Sequence, residues 1–275
     1  MSVKTSIIIP AREETDLNRT IKDLQDKATG EIEIIVILEG SDDVRLSGVK
    51  YIYNPTAIGM KYAINQGVKI ATGEYLMKID GHCIVSPGFD TQLIKDHQPN
   101  WIQVPRRYKL NNEEWKPNFN EFFDYEYWIW PKRFNPISLH GFKWHDRTKE
   151  RLDILIDDTL TFQGSFWFMT REWWDKNDFM NDEGYNELHA QEAVYLGTTT
   201  WMNGGRVVTN KNVWYCHRHA KRGYGIDNKK REQCYKYAYK KWVIDNKEGF
   251  IKLIEKFSPL PNWPENWRQE LEKMS

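Results

Sequence analysis

The hydrophobic pattern of the N-terminal third alternates between two periods. Ser6-Ile7-Ile8-Ile9 is a continuous apolar run stopped by Pro10, as a strand buried on both faces would be. Thr15 is placed to cap a helix running to about Lys27, with Leu17, Ile21 and Leu24 on one face. Residues 31–38 (EIEIIVIL) read as a second strand and 50–53 as a short third. A helix over about 58–71 follows, with Ile58, Tyr62 and either Ile64 or Asn65 turned inward and Gly73 ending it. Residues 75–79 form another buried strand that stops at Asp80-Gly81-His82, and a helix after Pro87 and a strand over 101–104 continue the series. Such alternation predicts an α/β domain with a largely parallel sheet. Ligands bind beyond the carboxyl ends of such strands. Three polar clusters stand there: residues 10–14, 39–43 and 80–82.

From Arg106 to about Arg151 the period is lost in an aromatic, charged, proline-punctuated stretch (EFFDYEYWIWPKRFNP). Two readings fit it: a lid or acceptor-binding insertion, or a helix near 119–130 packing its aromatics on the core. Regularity resumes with a strand over 159–169, a helix over about 187–202 and strands near Val207 and Val213, before a helical, basic C-terminal part.

Composition removes several classes. Thirty-nine Lys plus Arg balance thirty-nine Asp plus Glu, and 40% hydrophobic with 28% charged residues excludes a disordered chain. No apolar run approaches the roughly 18 residues of a membrane span. The opening apolar strand is too short for a secretory leader. Cys83, Cys216 and Cys234 form neither a disulfide framework nor a CxxC zinc cluster. The expectation is a cytoplasmic chain. Thirteen Trp, fourteen Tyr and twelve Phe serve equally as a Trp-rich core or as faces that stack on sugars and bases.

Motif order narrows the picture further. Gly59, Ala63, Asn65 and Gly67 give G-x-x-x-A-x-N-x-G, residues 71–75 give A-x-G-E-Y, and the next strand ends in Asp80-Gly81-His82-Cys83. This series resembles the nucleotide-sugar-binding half of GT-A glycosyltransferases of family 2. Ile7-Ile8-Ile9-Pro10 and Glu39-Gly40-Ser41-Asp42-Asp43 are similar to that family's first two strand ends. The D-x-H-C form resembles polypeptide N-acetylgalactosaminyltransferases. Glu192 stands nine residues before Trp201-Met202-Asn203-Gly204-Gly205, matching the spacing of their E-N…W-x-C-G-G, and the twelfth residue after Gly205 is His217. The resemblance covers about 6–224. It departs where His189-Ala190-Gln191 replaces W-G-G and Asn203 replaces the cysteine, and no anchor, stem or lectin domain like those of the Golgi enzymes is expected.

The resemblance implies a mixed α/β GT-A domain over 1–225, with 106–151 as the insertion, and a helical extension over 226–275. It implies a UDP-sugar donor and Mn2+ or another divalent cation held by Asp80, His82 and His217, with His219 the alternative third ligand. A carboxylate and two imidazoles suit such an ion, and a cation bridging the diphosphate neutralises charge on the leaving group. Pro10, Ala11, Arg12, Glu13 and Glu39 would flank the uracil and ribose. Lys61, Asn65, Asp80, Gly81, Gly164 and Ser165 would complete the donor site. Arg218, Lys221, Arg222 and Tyr224 form the loop expected to close over the phosphates. Glu192 is the candidate catalytic carboxylate, with Glu187 and Asp158 in reserve, and stereochemistry stays open between retention and inversion. A non-catalytic nucleotide-sugar binder and a nucleotidyltransferase are the rivals, the latter disfavoured by an acidic, glycine-free first loop.

One feature bears on the acceptor. Residues 211–242 carry ten Lys or Arg against Asp227 and Glu232, interleaved with Tyr224, Tyr235, Tyr237, Tyr239 and Trp242. A basic face bearing aromatics suits a phosphate backbone and an exposed base. The acceptor expected from it is a hydroxylated base in DNA, with a carbohydrate or peptide hydroxyl as the alternative. A basic amphipathic helix that packs its aromatics inward reads the same way.

Overall fold

The computed structural model describes residues 4–40, 46–186, 191–219, 225 and 227–274. Four strands, β1 (Lys4–Arg12), β2 (Glu31–Glu39), β3 (Val49–Asn54) and β4 (Tyr75–Ile79), lie parallel in the order β3-β2-β1-β4. The continuous Ile/Val/Leu runs of β1 and β2 are buried because helices cover both faces. Alternation along β1 divides the core. Ile7 and Ile9 pack with Leu17, Ile21 and Leu24 of α1 (Leu17–Lys27) and with Phe89 and Leu93 of α3 (Phe89–Lys95). Ile8 packs on the other face with Ala63, Ile64 and Val68 of α2 (Met60–Ile70).

Three local expectations change. Pro10 does not end β1; β4 pairs only with Thr5–Ile8, so β1 has one free side where the residue without an N–H falls. Asp16, not Thr15, precedes α1. Tyr62 of α2 points outward, 43% exposed, because small residues make the face that approaches the sheet.

Beyond β4 the sheet becomes mixed. β5 (Cys83–Val85) follows the Asp80 turn, and β6 (Trp101–Asn111) runs on into a hairpin with β7 (Lys116–Phe123). β8 (Glu126–Trp128) pairs with β9 (Gly141–Lys143), so the stretch 119–130 holds the end of β7 and all of β8 and no helix. α4 (His145–Glu150), β10 (Ile156–Asp158), β11 (Phe166–Thr170) and α5 (Arg171–Lys176) follow. The strand expected over 159–169 therefore starts only at Phe166. α6 (Glu192–Met202) leads into β12 (Arg206–His217), which is one bulged strand where two were expected. β11 sits antiparallel between β4 and β6, while β12 runs parallel to β6. The carboxyl ends of β4, β6 and β12 therefore share a rim with the start of β11.

The C-terminal part is helical: α7 (Asn228–Tyr239), a π-helical segment Lys240–Asp245, α8 (Lys247–Phe257) and α9 (Trp267–Glu272). Ala238, Trp242, Phe250, Ile254 and Leu271 join the core that contains α2 and α6. Trp128, Trp167, Trp173, Trp174 and Trp242 are all buried there, so much of the aromatic load is core. No helix among the described residues is long and apolar enough to cross a membrane.

Candidate active site

The rim brings together residues far apart in sequence. Asp80 leaves β4, His82 follows in the turn, and His217 ends β12 opposite Cys83. Their ligand atoms lie within 4.8 Å of one another. His217 Nε2 stands 3.1 Å from Asp80 Oδ2 and 2.9 Å from His82 Nε2. Outer contacts fix both rings: His82 Nδ1 meets Glu14 Oε2 at 2.8 Å, and Arg107 donates to His217 Nδ1 at 2.8 Å. The same guanidinium nitrogen meets His219 Nε2 at 2.8 Å, so His217 joins the cluster and His219 stands behind it. Burial lowers His217 to about 3 against the pull of Asp80. Burial alone would raise Asp80, but Lys78 and the His217 contact outweigh it and hold the carboxyl well below its usual range.

Lys78 is the centre of the site, and sequence reasoning missed it. It is fully buried, with Nζ 2.6 Å from Asp80 Oδ1, 2.5 Å from the Gly164 carbonyl and 3.3 Å from Glu192 Oε2. The signal was a lysine in an apolar strand two residues before Asp80, since a period of two puts both side chains on one side. Glu192 opens α6, and its Oε1 accepts from Trp167 Nε1 at 2.7 Å. Burial pushes Glu192 up, opposed by Lys78. Gly164 is required here: a Cβ would lie 2.7 Å from Glu192 Oε2. Ser165 bonds Tyr215 Oη at 2.9 Å, and its carbonyl accepts from the Asp80 N–H at 3.1 Å.

These groups line a cavity of about 340 Å³. Lys78, Asp80, Gly164, Ser165, Glu192 and His217 form part of it; Glu126, His140, Gly141 and Gln163, which no motif indicated, form another part. Its volume suits a small polar ligand.

Other expected site residues lie elsewhere. Lys61 donates to the Asp182 carbonyl at 2.7 Å and Asn65 to that of Met180 at 2.9 Å, so both hold residues 180–182 and neither lines this cavity. Gly81 is buried in the turn against Glu14 and Leu17. Pro10, Ala11 and Arg12 end β1 beside Glu39, whose carboxylate is buried and accepts from the Gly59 N–H at 3.1 Å. Glu13 is exposed with φ of 54°. Arg218 is drawn to Asp16. Asp158, a reserve carboxylate, pairs with Arg206 and Lys256 away from the cavity. Lys221, Arg222, Tyr224 and Glu187 lie outside the described residues, as does the 41–43 turn.

Among the described residues of 211–242, Trp242 and Tyr237 are not presented as an exposed stacking face. Trp242 is buried and donates to Tyr185 Oη at 2.6 Å, and Tyr237 donates to Asp182 at 2.7 Å. Lys211 is buried against Asp124, Lys241 pairs with Asp182, and Lys240 with Asp245. Lys229 and Lys230 remain exposed on α7. Inward packing, the alternative reading, holds for Trp242 and Tyr237.

Residues 6–177 match glycosyl transferase family 2, well over half the chain. The chain belongs to that family. This family 2 glycosyltransferase is 25% identical over 174 residues to the Drosophila melanogaster protein named "Putative polypeptide N-acetylgalactosaminyltransferase 13", covering 58% of the chain and 28% of that relative. It superposes on the crystal structure of GalNAc-T7 with UDP, GalNAc and Mn2+ at a TM-score of 0.69 and 17% identity, over 98% of this chain and 55% of that one. The GT-A fold expected from the motifs is therefore the one observed. The chain spans about half or less of the length of these two relatives.

Proposed function

We propose that the chain is a divalent-cation-dependent transferase that moves a sugar from a UDP-sugar to the hydroxyl of a carbohydrate or peptide. The carrying observation is the convergence of Asp80, His82 and His217 beside a cavity that Lys78 and Glu192 also line. One carboxylate oxygen and two imidazole nitrogens fit a Mn2+-type ion, and His82, tied through Nδ1 to Glu14, keeps Nε2 toward the centre. When bound, that ion would neutralise the diphosphate leaving group. GalNAc-T7, similar in fold, was crystallised with UDP, GalNAc and Mn2+, which supports both cation and donor class.

The chain's own residues have separate tasks in this reading. Lys78 opposes the effect of burial on Asp80 and Glu192 and holds both carboxylates in place. Glu192, locked by Trp167 and Lys78, orients the donor sugar against the Gly164-Ser165 floor. Residues 10–13 and Glu39 flank the uridine at the β1 and β2 ends. Arg218 would have to leave Asp16 to meet a phosphate.

A carbohydrate or peptide hydroxyl is preferred over a base in DNA because Trp242 and Tyr237 of 211–242 are engaged with Tyr185 and Asp182. The test incubates the full chain with a panel of UDP-sugars and Mn2+, then adds threonine peptides, glycosides or hydroxymethylated DNA. UDP release that chelation abolishes, and that Asp80→Asn loses, is the expected result. No release from any UDP-sugar would overturn the reading, and stimulation by the DNA alone would restore the other acceptor.

A further inference from the structure

Glu126 is a second carboxylate of the cavity, and it lies outside every motif that carries the family resemblance. We propose that Glu126 receives the proton of the attacking hydroxyl, which makes the wall of Glu126, His140, Gly141 and Gln163 the acceptor side of the site. This rests on the transferase reading of the same cavity.

Glu192 is already engaged by fixed partners. Both of its oxygens already accept from fixed donors, Oε1 from Trp167 and Oε2 from Lys78. Protonating it would cost the contact with a buried cation, so it suits orientation better than proton transfer. Glu126 has neither a paired lysine nor an indole on it in this way. It is 4% exposed, and its backbone is pinned on both sides: its N–H meets Thr159 Oγ1 at 3.3 Å and its carbonyl accepts from Thr161 at 3.4 Å. Across the β8–β9 pair, Gly141 gives the carboxylate its room, since a Cβ there would lie 2.9 Å from Glu126 Oε2.

The electrostatics agree with that geometry. Burial pushes Glu126 up to about 7, against the lowering effect of Arg107 from β6, Gln163 before β11 and Lys143 from β9. Lys78, Asp80, His140, Glu192 and His217 are the other titratable groups on the cavity. A carboxylate poised near neutrality exchanges a proton with least loss of driving force. In the step, the acceptor oxygen bonds to the anomeric carbon. The bond from that carbon to the diphosphate oxygen breaks, and its electron pair leaves with UDP. The hydroxyl proton passes to Glu126 and then to water.

The experiment compares wild type with Glu126→Gln, using Mn2+, the UDP-sugar turned over and the acceptor that the panel identifies, or water where it identifies none. The expected kcat falls by about 10²–10⁴-fold, while UDP affinity measured by calorimetry holds within about twofold. The acidic limb of the pH profile near neutrality disappears. Should Glu126→Gln fail to fold, Gly141→Ala, which displaces the carboxylate, decides by the same loss of kcat at unchanged UDP affinity. Retention of more than about a tenth of kcat, or of the acidic limb, overturns the proposal while leaving the transferase reading intact. A wild type inert toward every UDP-sugar overturns both.

Discussion

Lys78→Met removes the cation that lies between Asp80 and Glu192 and leaves two carboxylates inside the protein. Lys78 is completely buried and its ammonium meets both acids and the Gly164 carbonyl. Breaking a buried ion pair by deleting one partner costs about 3–5 kcal/mol. For a chain of this size each kcal/mol moves Tm by roughly 2–4 °C, so the variant melts about 6–20 °C lower. The pH dependence fixes the mechanism. Without Lys78, the folded-state pKa values of Asp80 and Glu192 rise above their unfolded values. The penalty is then full above those raised folded-state values and disappears as pH falls through them toward the unfolded values, near about 4. In wild type the depressed Asp80 keeps its stabilisation down to its ordinary 3.8 and loses it only below, so it adds nothing to the difference between pH 7.5 and 4.5. Urea melts of both proteins at pH 7.5 and 4.5 measure this, with Glu192→Gln in the Lys78→Met background expected to recover part of the loss. A deficit under about 1 kcal/mol at pH 7.5, or one equal at the two pH values, would refute the reasoning.

Three further outcomes are expected. Glu33 accepts from Ser6 Oγ and the Thr72 N–H, each at 2.5 Å, and from Lys50 at 2.6 Å; burial would raise it, but these partners hold it at about 2. Its contribution is thus present above an ordinary 4.5 and lost as pH falls toward 2. Glu33→Gln should cost about 2–3 kcal/mol at pH 7 and much less at pH 3, read from denaturant melts. His217→Ala should abolish Mn2+ binding in calorimetry while His219→Ala weakens it less than about tenfold, because only His217 joins the Asp80–His82 cluster. Neutralising Lys229, Lys230 and Arg231 together should leave UDP release unchanged, and a large loss would return α7 to the site.

What was legible in the sequence was local. The strand over 75–79 and the Asp80-Gly81-His82 turn are contiguous, so one segment carries both the burial pattern and the chemistry. His217 was reachable because α6, the glycine turn and β12 keep a fixed count between them. Glu126 was not, since β8 acquires its burial from Thr159, Thr161 and β9, all distant in sequence. The β7 strand beside it has exposed or half-exposed positions along most of its length, which erases the alternation that marks a strand. The basic segment misled for a related reason. Tyr237 and Trp242 look like a stacking face in a string of lysines, yet their polar ends reach Asp182 and Tyr185 in the core.

The strand order explains why two carboxylates can divide one reaction. β11 enters antiparallel between β4 and β6, so the turn before it, Gln163-Gly164-Ser165, arrives at the rim from which Asp80 departs. Gly164 then faces Glu192 of α6 on the side that holds Lys78. Gln163 faces Glu126 of β8 and lowers its pKa by hydrogen bonding. Adjacent residues of one turn thus separate a carboxylate bound to a buried cation from one without it, burial being the largest influence on both. Both acids are raised by burial, but only Glu192 has its two oxygens committed to Lys78 and Trp167, and that difference in partners gives the neighbouring acids different roles. Exchanging the environments, by removing Lys78 from the first or adding a Cβ at Gly141 against the second, should disturb donor orientation and proton transfer separately.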